Sequence, residues 1–223
     1  RAANAMLEET TDLPILIGRP EVVEARCERA GLPIRPGRDF TLVNPENDHR
    51  YRDYWGTYHE LMARQGVTPD IARAVMRTNT TAIAAIMVHR EEADSMIAGT
   101  FGQFNWHLGY VRQILARGGL HPVAALSLMI LEDGPLFVAD THVHSEPTPQ
   151  QIMETVIGAA RHVRRFGIIP KIALCTQSQF GNMDNASARR MREALELLDQ
   201  REPDFAYEGE MNLDAALDQS IRD

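Results

Sequence analysis

Short apolar runs alternate with longer amphipathic stretches along this 223-residue chain. Apolar runs of about four to eight residues are typical of buried strands, and apolar residues three and four apart are typical of helices. The pattern predicts strands at 14–18, 40–44, 94–99, 170–177 and 204–211, with two more on either side of residues 133 and 134. It predicts helices at 19–31, 48–66, 68–77, 80–90, 105–119, 147–167, 185–200 and from 212 onward.

Turn and cap residues support these boundaries. Asp133-Gly134 separates two apolar runs and predicts a β-hairpin. Thr68 followed by Pro69, and Thr148 followed by Pro149, are typical of helix starts. The apolar residues of the two longest C-terminal helices are expected to face inward, namely Ile152, Val156, Ala159, Val163 and Phe166 on one, and Met191, Leu195 and Leu198 on the other.

Alternation of strands and helices predicts an α/β fold with a mostly parallel sheet, covered by helices on both faces as a three-layer α/β/α arrangement, with one antiparallel hairpin. The first twelve residues resemble the second half of a helix, and the last twelve resemble a helix that has only begun. We therefore expect residues 1–223 to be one domain of two subdomains, incomplete at both ends.

Composition narrows the function classes. Hydrophobic residues make up 44% and charged residues 24%, as expected for a globular protein. The net charge of −8 argues against general affinity for nucleic acid or acidic membranes, and no apolar run approaches the ~20 residues that span a bilayer. Two distant cysteines, Cys27 and Cys175, give no disulfide framework and favour a cytoplasmic location.

Asp140, His142 and His144 follow an apolar run and resemble the ligands of a metal site, because residues two apart on a strand point the same way. A catalytic zinc needs three protein ligands, and the only later histidine, His162, lies within a predicted helix. We favour the simpler interpretation, in which these polar residues lead a strand into the turn before Thr148. No metal is expected in this chain.

Two loops are candidates for a ligand site, because ligands of open α/β sheets bind where strands lead into helix N-termini. They comprise residues 98–105 and 176–185, and neither matches a dinucleotide or P-loop motif. For Gln177 and Ser178, capping of the following helix is as good an interpretation as ligand binding. Thr80 and Thr81 are expected to form hydrogen bonds with their own backbone. The candidate ligand-binding side chains are Thr100, Gln103, Asn105, Gln177, Ser178, Gln179 and Asn182.

Two basic clusters lie on predicted helices, one formed by Arg161, His162, Arg164 and Arg165 and the other by Arg189, Arg190 and Arg192. Such runs are usually solvated helix faces. The alternative is a partner interface or a contact to ligand phosphates, which arginine suits.

Four segments in order resemble the phosphate acetyltransferase/butyryltransferase family: "EEADSMIAGTFGQFNWHLGYVRQIL", "FVADTHVHSEPTPQQI", "ARHVRRFGIIPKIALCTQSQFGN" and "REPDFAYEGEMNLDAAL". The resemblance implies an isocitrate/isopropylmalate-dehydrogenase-like fold, as in phosphotransacetylases. It also implies that a further N-terminal strand and C-terminal βα units belong to the fold, and that the histidine-containing turn binds no metal.

Other segments, including "LIGRPEVVEAR", "RTNTTAIAA" and "SLMILEDGPLF", resemble the C-terminal domain of bacterial hybrid malic enzymes. That resemblance implies a parent polypeptide that converts malate to pyruvate with NADP and a divalent metal, Mg or Mn, bound by N-terminal malic-enzyme domains. It implies that this part holds no cofactor, binds acetyl-CoA as an effector and supports a homo-oligomer, a dimer or larger.

Where the family carries a Ser-Thr pair, this chain has Gln103 and Phe104, and family arginines correspond to Gly109 and Met62, with Arg64 a possible substitute for the latter. A transferring acyl phosphate needs fixed positive donors. We therefore expect a non-catalytic acetyl-CoA sensor. An active phosphate acetyltransferase is the second hypothesis, and a module that only holds the oligomer together is the third.

Overall fold

The computed structural model describes residues 1–99, 101–116, 123–132 and 134–222. The chain divides into two compact units, residues 1–121 and 122–223. Each unit has its own cluster of buried apolar side chains.

The N-terminal unit is mainly helical. Its two short strands pair in parallel, from Ile15 opposite Thr41 to Ile17 opposite Val43. In chain order its elements are α1 (Ala2–Glu9), β1 (Ile15–Ile17), α2 (Pro20–Arg29), β2 (Thr41–Val43), α3 (Tyr51–Met62), a 3-10 turn (Ala63–Gln65), α4 (Pro69–Thr78), α5 (Thr80–His89) and α6 (Phe104–Leu115).

Helix α5 forms the centre of this unit. Its sequence is apolar on nearly every side, and six of its ten residues are buried. Helices that are hydrophobic all round are found inside proteins. The N-termini of α4 and α5 are capped by Thr68 and Asn79, whose side chains accept from the Ile71 and Ala82 amides. The expected cap at Thr68 is confirmed.

The prediction of a strand at residues 94–99 is wrong. The chain there is irregular and pairs with none of the strands that the structure describes. Met96 packs partly against the core, whereas Ile97 is 90% exposed. A single inward residue and a glycine at φ +129, Gly99, do not give a strand a face to bury.

The C-terminal unit contains an antiparallel hairpin and a parallel strand pair with helices packed on them. The hairpin register runs from Leu126 opposite Ala139 to Leu131 opposite Gly134, while Asp133 of its expected turn lies outside the described residues. The elements are β3 (Leu126–Leu131), β4 (Gly134–Ala139), α7 (Pro149–Arg164), β5 (Lys171–Cys175), α8 (Ala186–Asp199), β6 (Ala206–Met211), α9 (Leu213–Leu217) and α10 (Gln219–Arg222).

Helix α7 begins with a capping box, as its sequence indicates. The Thr148 hydroxyl accepts from the Gln151 amide, and the Gln151 side chain accepts from the Thr148 amide. Two of the residues expected to face inward are not buried. Ala159 is half-buried, and Phe166 lies beyond the end of α7 and is 59% exposed, with its ring edge on Phe137 at 5.3 Å between centroids. The buried face is instead formed by Ile152, Met153, Val156, Ala160 and Val163.

Strand β6 carries a bulge where it pairs with β5. Leu174 lies opposite Gly209, but Cys175 lies opposite Met211, so Glu210 is the extra residue on β6. Regular alternation would leave Glu210 on the exposed side with Ala206 and Glu208; the bulge buries Glu210 and Met211 in succession. Gly209, at φ +150, is needed here, because a Cβ would lie 2.8 Å from the Leu174 carbonyl oxygen.

The two parallel pairs and the antiparallel hairpin confirm the α/β class. The last expected helix is interrupted, because Asp218 adopts an extended conformation between α9 and α10. Within the described ranges, no helix combines the length and the apolar character that crossing a membrane requires.

Candidate functional site

An open cleft of about 590 Å³ lies at the carboxyl end of β5. This is the edge at which α/β folds bind ligands. Its walls come from the end of β5, the first turn of α8 and one residue of α9. The lining residues are Cys175, Thr176, Gln177, Asn185, Ala186, Ser187 and Leu213.

The polar groups in the cleft lining are uncharged, and they lie among apolar side chains such as Leu213. Asn185 caps α8, its side chain accepting from the Ala188 amide at 2.9 Å. The Thr176 hydroxyl donates to that of Ser187 at 3.3 Å. Behind the cleft, the Asn212 amide nitrogen, in the orientation that its neighbours require, faces the carbonyl oxygens of Thr176 and Gln177 at 3.1 and 3.2 Å. Hydroxyl and amide groups therefore lie beside a helix N-terminus, with no charged side chain in the lining.

The loop between β5 and α8 is anchored from behind by Glu210. One carboxylate oxygen, Oε1, accepts from the Ser178 hydroxyl at 2.6 Å, the Gly181 amide at 3.0 Å and Arg192 Nη1 at 2.8 Å. Glu210 and Ser178 are 1% and 0% exposed. The Glu210 backbone carbonyl also accepts from the Phe180 amide at 2.8 Å. A side chain on β6 thus fixes the shape of a loop that follows β5.

The Glu210 carboxylate is stabilised in its charged form. Burial opposes ionisation, but the hydrogen bonds from Ser178 and Gly181 and the ion pair with Arg192 outweigh it and hold the pKa of Glu210 below its ordinary value. A buried carboxylate is tolerated because its donors satisfy it.

The structure places the four candidate side chains of this loop together, in different environments. Gln177 is exposed and lines the cleft. Ser178 is buried and turned towards Glu210, so its hydroxyl faces the protein interior. Asn182 Oδ1 accepts from the Gln179 amide at 2.9 Å and lies 3.2 Å from Ser178 Oγ, closing the loop on itself. Helix capping is not the role of Gln177 or Ser178, since Asn185 caps α8; ligand contacts of these residues stay predictions.

The other candidates belong to the N-terminal unit. Thr100 lies outside the described residues. Gln103 is the residue before α6, with no side-chain capping bond, and Asn105 is exposed in its first turn. Both stay predictions as ligand contacts.

His107 holds the segment before α6 in place. Its Nδ1 lies 2.7 Å from the Thr81 hydroxyl and its Nε2 lies 2.5 Å from the Phe101 carbonyl oxygen. Nε2–H must donate to that carbonyl, so in the neutral ring Nδ1 accepts from Thr81. The expectation that Thr81 bonds its own backbone is therefore wrong, because a ring nitrogen from α6 reaches its hydroxyl.

Asp140 organises the histidine-containing turn. Its carboxylate accepts from the Ala125, Val143 and His144 amides at 3.0, 3.2 and 3.0 Å, and it lies 2.6 Å from His144 Nδ1. Burial opposes ionisation here too, yet these donors hold the pKa of Asp140 below its usual range. The turn leads into the Thr148 cap, as interpreted from sequence. Across the described residues, no three His, Cys, Asp or Glu side chains are grouped to hold a metal.

Sequence reasoning missed Glu210 and the role of Arg192. The sequence favours a solvated helix face for the basic cluster that contains Arg192, but the Arg192 guanidinium bonds Glu210 and lies 3.4 Å from Asp184, which also pairs with Arg189. The available signal was the Gly209-Glu210 dipeptide near a strand end, since glycine inside a strand suggests a bulge or close backbone approach.

Comparison with known proteins agrees with this architecture. A family model described as phosphate acetyl/butaryl transferase matches residues 1–223. The chain belongs to this family. A phosphotransacetylase from Streptococcus pyogenes superposes with a TM-score of 0.87 and 25% identity, over 100% of this chain and 67% of that one.

Several relatives of this chain are malic enzymes. An NADP-dependent malic enzyme of Salmonella typhimurium is 48% identical over 210 residues, which is 94% of this chain and 28% of that protein. An NAD-dependent malic enzyme of Rhizobium meliloti is 48% identical over 223 residues, 100% of this chain and 29% of that protein. The chain spans less than a third of the length of these relatives. Its resemblance to the phosphotransacetylase-like part of hybrid malic enzymes is confirmed.

Proposed function

We propose that this chain is the acetyl-CoA-binding regulatory and oligomerising module of an NADP-dependent malic enzyme, and that it does not itself transfer acyl groups. The parent polypeptide would oxidatively decarboxylate malate to pyruvate in the cytoplasm, using NADP and Mg or Mn in its malic-enzyme domains. The relatives named as malic enzymes, matched over nearly the whole chain, support this assignment.

The observation that carries the non-catalytic assignment is the uncharged lining of the cleft at β5. Neutral hydroxyl and amide groups suit the amide-rich arm and thioester of acetyl-CoA. Stabilising the charge on a transferring acyl phosphate calls for fixed cations, ideally an arginine fork. The cleft lining contains none.

The N-terminal unit supports the same conclusion. Met62, which the resemblance aligns with a family arginine, is 3% exposed and belongs to the apolar core. Arg64 lies in the following turn and is exposed. Gly109, aligned with a second arginine, lies in α6 with no side chain to donate. Restoring a cation at Met62 would bury an unpaired charge, which is costly.

An effector regulates only through different affinities for two states of the assembly. A homo-oligomer of this module, a dimer or larger, would let acetyl-CoA bias such states. Strand β3 exposes four consecutive apolar residues, Leu128 to Leu131, of which Ile130 is 87% exposed. Contiguous exposed apolar surface is typical of interaction sites, and we assign this one to a second copy of the chain.

The test uses the full-length polypeptide that carries this chain. Calorimetry should show saturable acetyl-CoA binding, and acetyl-CoA should change the rate of malate-dependent NADP reduction, by a factor of about 5 to 150 if coupling is typical. The Gln177→Ala substitution should weaken binding, whereas Gln200→Ala, at the exposed far end of α8, should not. Running the assay with NAD as well decides which dinucleotide the parent prefers.

Active acyl transfer is the second candidate, which the likeness to the Streptococcus pyogenes phosphotransacetylase favours. Formation of acetyl phosphate from acetyl-CoA and phosphate by the purified protein would establish that activity and refute the sensor. If acetyl-CoA neither binds nor alters malate oxidation, while sedimentation shows a stable oligomer, the module serves assembly alone.

A further inference from the structure

A second cleft, of about 290 Å³, lies at the opposite end of the β5–β6 pair. It is bounded by the last turns of α7 and by the segment that leads into β6. The five residues of β5 rise by about 16 Å, so this cleft is separate from the one proposed for acetyl-CoA. Its volume is near the lower end of the range for small-molecule sites.

Three arginines line this basic cleft: Arg161 and Arg164 from α7, and Arg201 beyond the end of α8. The one carboxylate in the lining, Asp204, pairs with Arg164 at 2.8 Å and also accepts through its backbone carbonyl at 3.2 Å. Arg161 and Arg201 form no ion pair with any residue that the structure describes. Two positive charges are therefore in excess here, on a chain whose net charge is −8.

Helix capping explains only part of this arrangement. Cations in the last turn of α7 interact favourably with the helix C-terminus. That interaction does not require the arginines to line the same cleft. Here three arginines, two from α7 and one from the segment after α8, line one cleft, and the rest of its lining is largely apolar, including Ile157, Pro203 and Phe205. The Arg164 guanidinium carbon lies 5.9 Å from the Phe205 ring centroid.

We propose that the basic cleft binds a small phosphate ester with an apolar or aromatic organic part. Guanidinium groups bond phosphate oxygens in pairs and are weakly hydrated, so two unpaired arginines favour a doubly charged phosphate over a single carboxylate. The ester's organic part would lie against Pro203 and Phe205. Arg164, held by Asp204, positions one wall. This site goes beyond the proposed acetyl-CoA function and does not depend on it.

The experiment titrates phenyl phosphate into the 223-residue chain and follows backbone amide shifts by NMR. The expected result is saturable binding with a Kd below about 1 mM, with shifts at residues 157–164 and 201–206. Inorganic phosphate should bind more weakly, since it leaves the apolar wall uncovered, and phenol should not bind. The R161A/R201A variant should weaken phenyl phosphate binding at least tenfold.

The matched control is R26A/R29A, which removes two exposed arginines from the last turn of α2 with the same change in net charge. It should bind phenyl phosphate like the unaltered chain. If both variants weakened phenyl phosphate binding equally, the effect would come from the change in net charge and the proposed site would be refuted. So would an absence of saturation in the unaltered chain, provided its amide spectrum shows that it is folded.

Two further measurements separate this site from its alternatives. Saturating acetyl-CoA should leave phenyl phosphate binding to the basic cleft intact; competition that persists in R161A/R201A would place the ligand at the β5 cleft instead and overturn the proposal. A hexaglutamate peptide should bind no better than inorganic phosphate. Tighter binding of that peptide would show that the cleft is a docking surface for an acidic protein segment, against the proposal.

Discussion

The Ser178 hydroxyl donates to the Glu210 carboxylate across 2.6 Å, and neither residue is more than 1% exposed. Ser178 Oγ also accepts from the Met183 amide at 3.2 Å. Through this one hydroxyl, the bulged residue of β6 is connected to both ends of the loop that follows β5. The shape of the β5 cleft therefore depends on a residue that does not line it.

We expect Glu210→Gln to loosen this loop. All three donors bond one oxygen, and an uncharged amide oxygen forms weaker bonds with Ser178, Gly181 and Arg192 than a carboxylate oxygen does, so the loss should be about 1.5–3 kcal/mol. Hydrogen exchange should show reduced protection at the Gly181 and Met183 amides. Glu196→Gln, on the exposed face of α8, should leave both amides unchanged; equal effects in the two variants would disprove the anchoring role.

We expect Asp140→Asn to destabilise the turn before α7 by about 2–3 kcal/mol at neutral pH, because an amide cannot accept from all the amides that Asp140 bonds. The folded pKa of Asp140 is lowered, so its contribution is present above the unfolded pKa of about 3.9 and is lost as pH falls through the folded pKa. Urea unfolding followed by circular dichroism should show the two proteins converging below about pH 4. A difference that is independent of pH would contradict this account.

We expect Thr81→Val to affect the segment before α6 more than α5 itself. The methyl group keeps the volume but removes the donor to His107 Nδ1, leaving a ring nitrogen unsatisfied at a cost of about 1 kcal/mol. Trp106 lies with its ring edge to His107 at 4.9 Å between centroids, so its fluorescence should change. Thr80→Val, one position earlier and exposed, is the control and should leave the emission unaltered.

We expect opposite signs from two glycine-to-alanine substitutions in the C-terminal unit. Gly209→Ala should destabilise by about 2–4 kcal/mol, since a Cβ would meet the Leu174 carbonyl oxygen at 2.8 Å with φ at +150. Gly158→Ala, within α7 and with no atom within 4 Å of the added carbon, should stabilise by about 0.5–1 kcal/mol. Thermal unfolding midpoints check both; stabilisation by Gly209→Ala would refute the close strand approach.

The parts of the fold that local chemistry decides could be predicted from sequence. Thr68 and Thr148 mark helix starts because a hydroxyl bonds an amide three residues later, within one turn. The segment 94–99 could not be judged in this way. Its apolar residues resemble a strand, but a strand also needs a partner, and that depends on residues distant in sequence.

The candidate site was predictable in place but not in detail. The loop after β5 was expected to matter because strand ends in α/β folds lead into helix N-termini. That Ser178 faces inward could not be predicted, because its partner Glu210 is 32 residues away and its burial depends on a bulge. Alternation along "AYEGEM" would have assigned that glutamate to solvent.

Because of the bulge, the pairing of β6 with β5 depends more on the number of residues in β6 than on their identity. Deleting one residue between Tyr207 and Met211 would restore regular pairing with β5 and rotate the remaining carboxylate away from Ser178. Point substitutions on the exposed positions of β6 would leave that geometry intact. Among homologous sequences, this strand should therefore tolerate many replacements and almost no insertions or deletions.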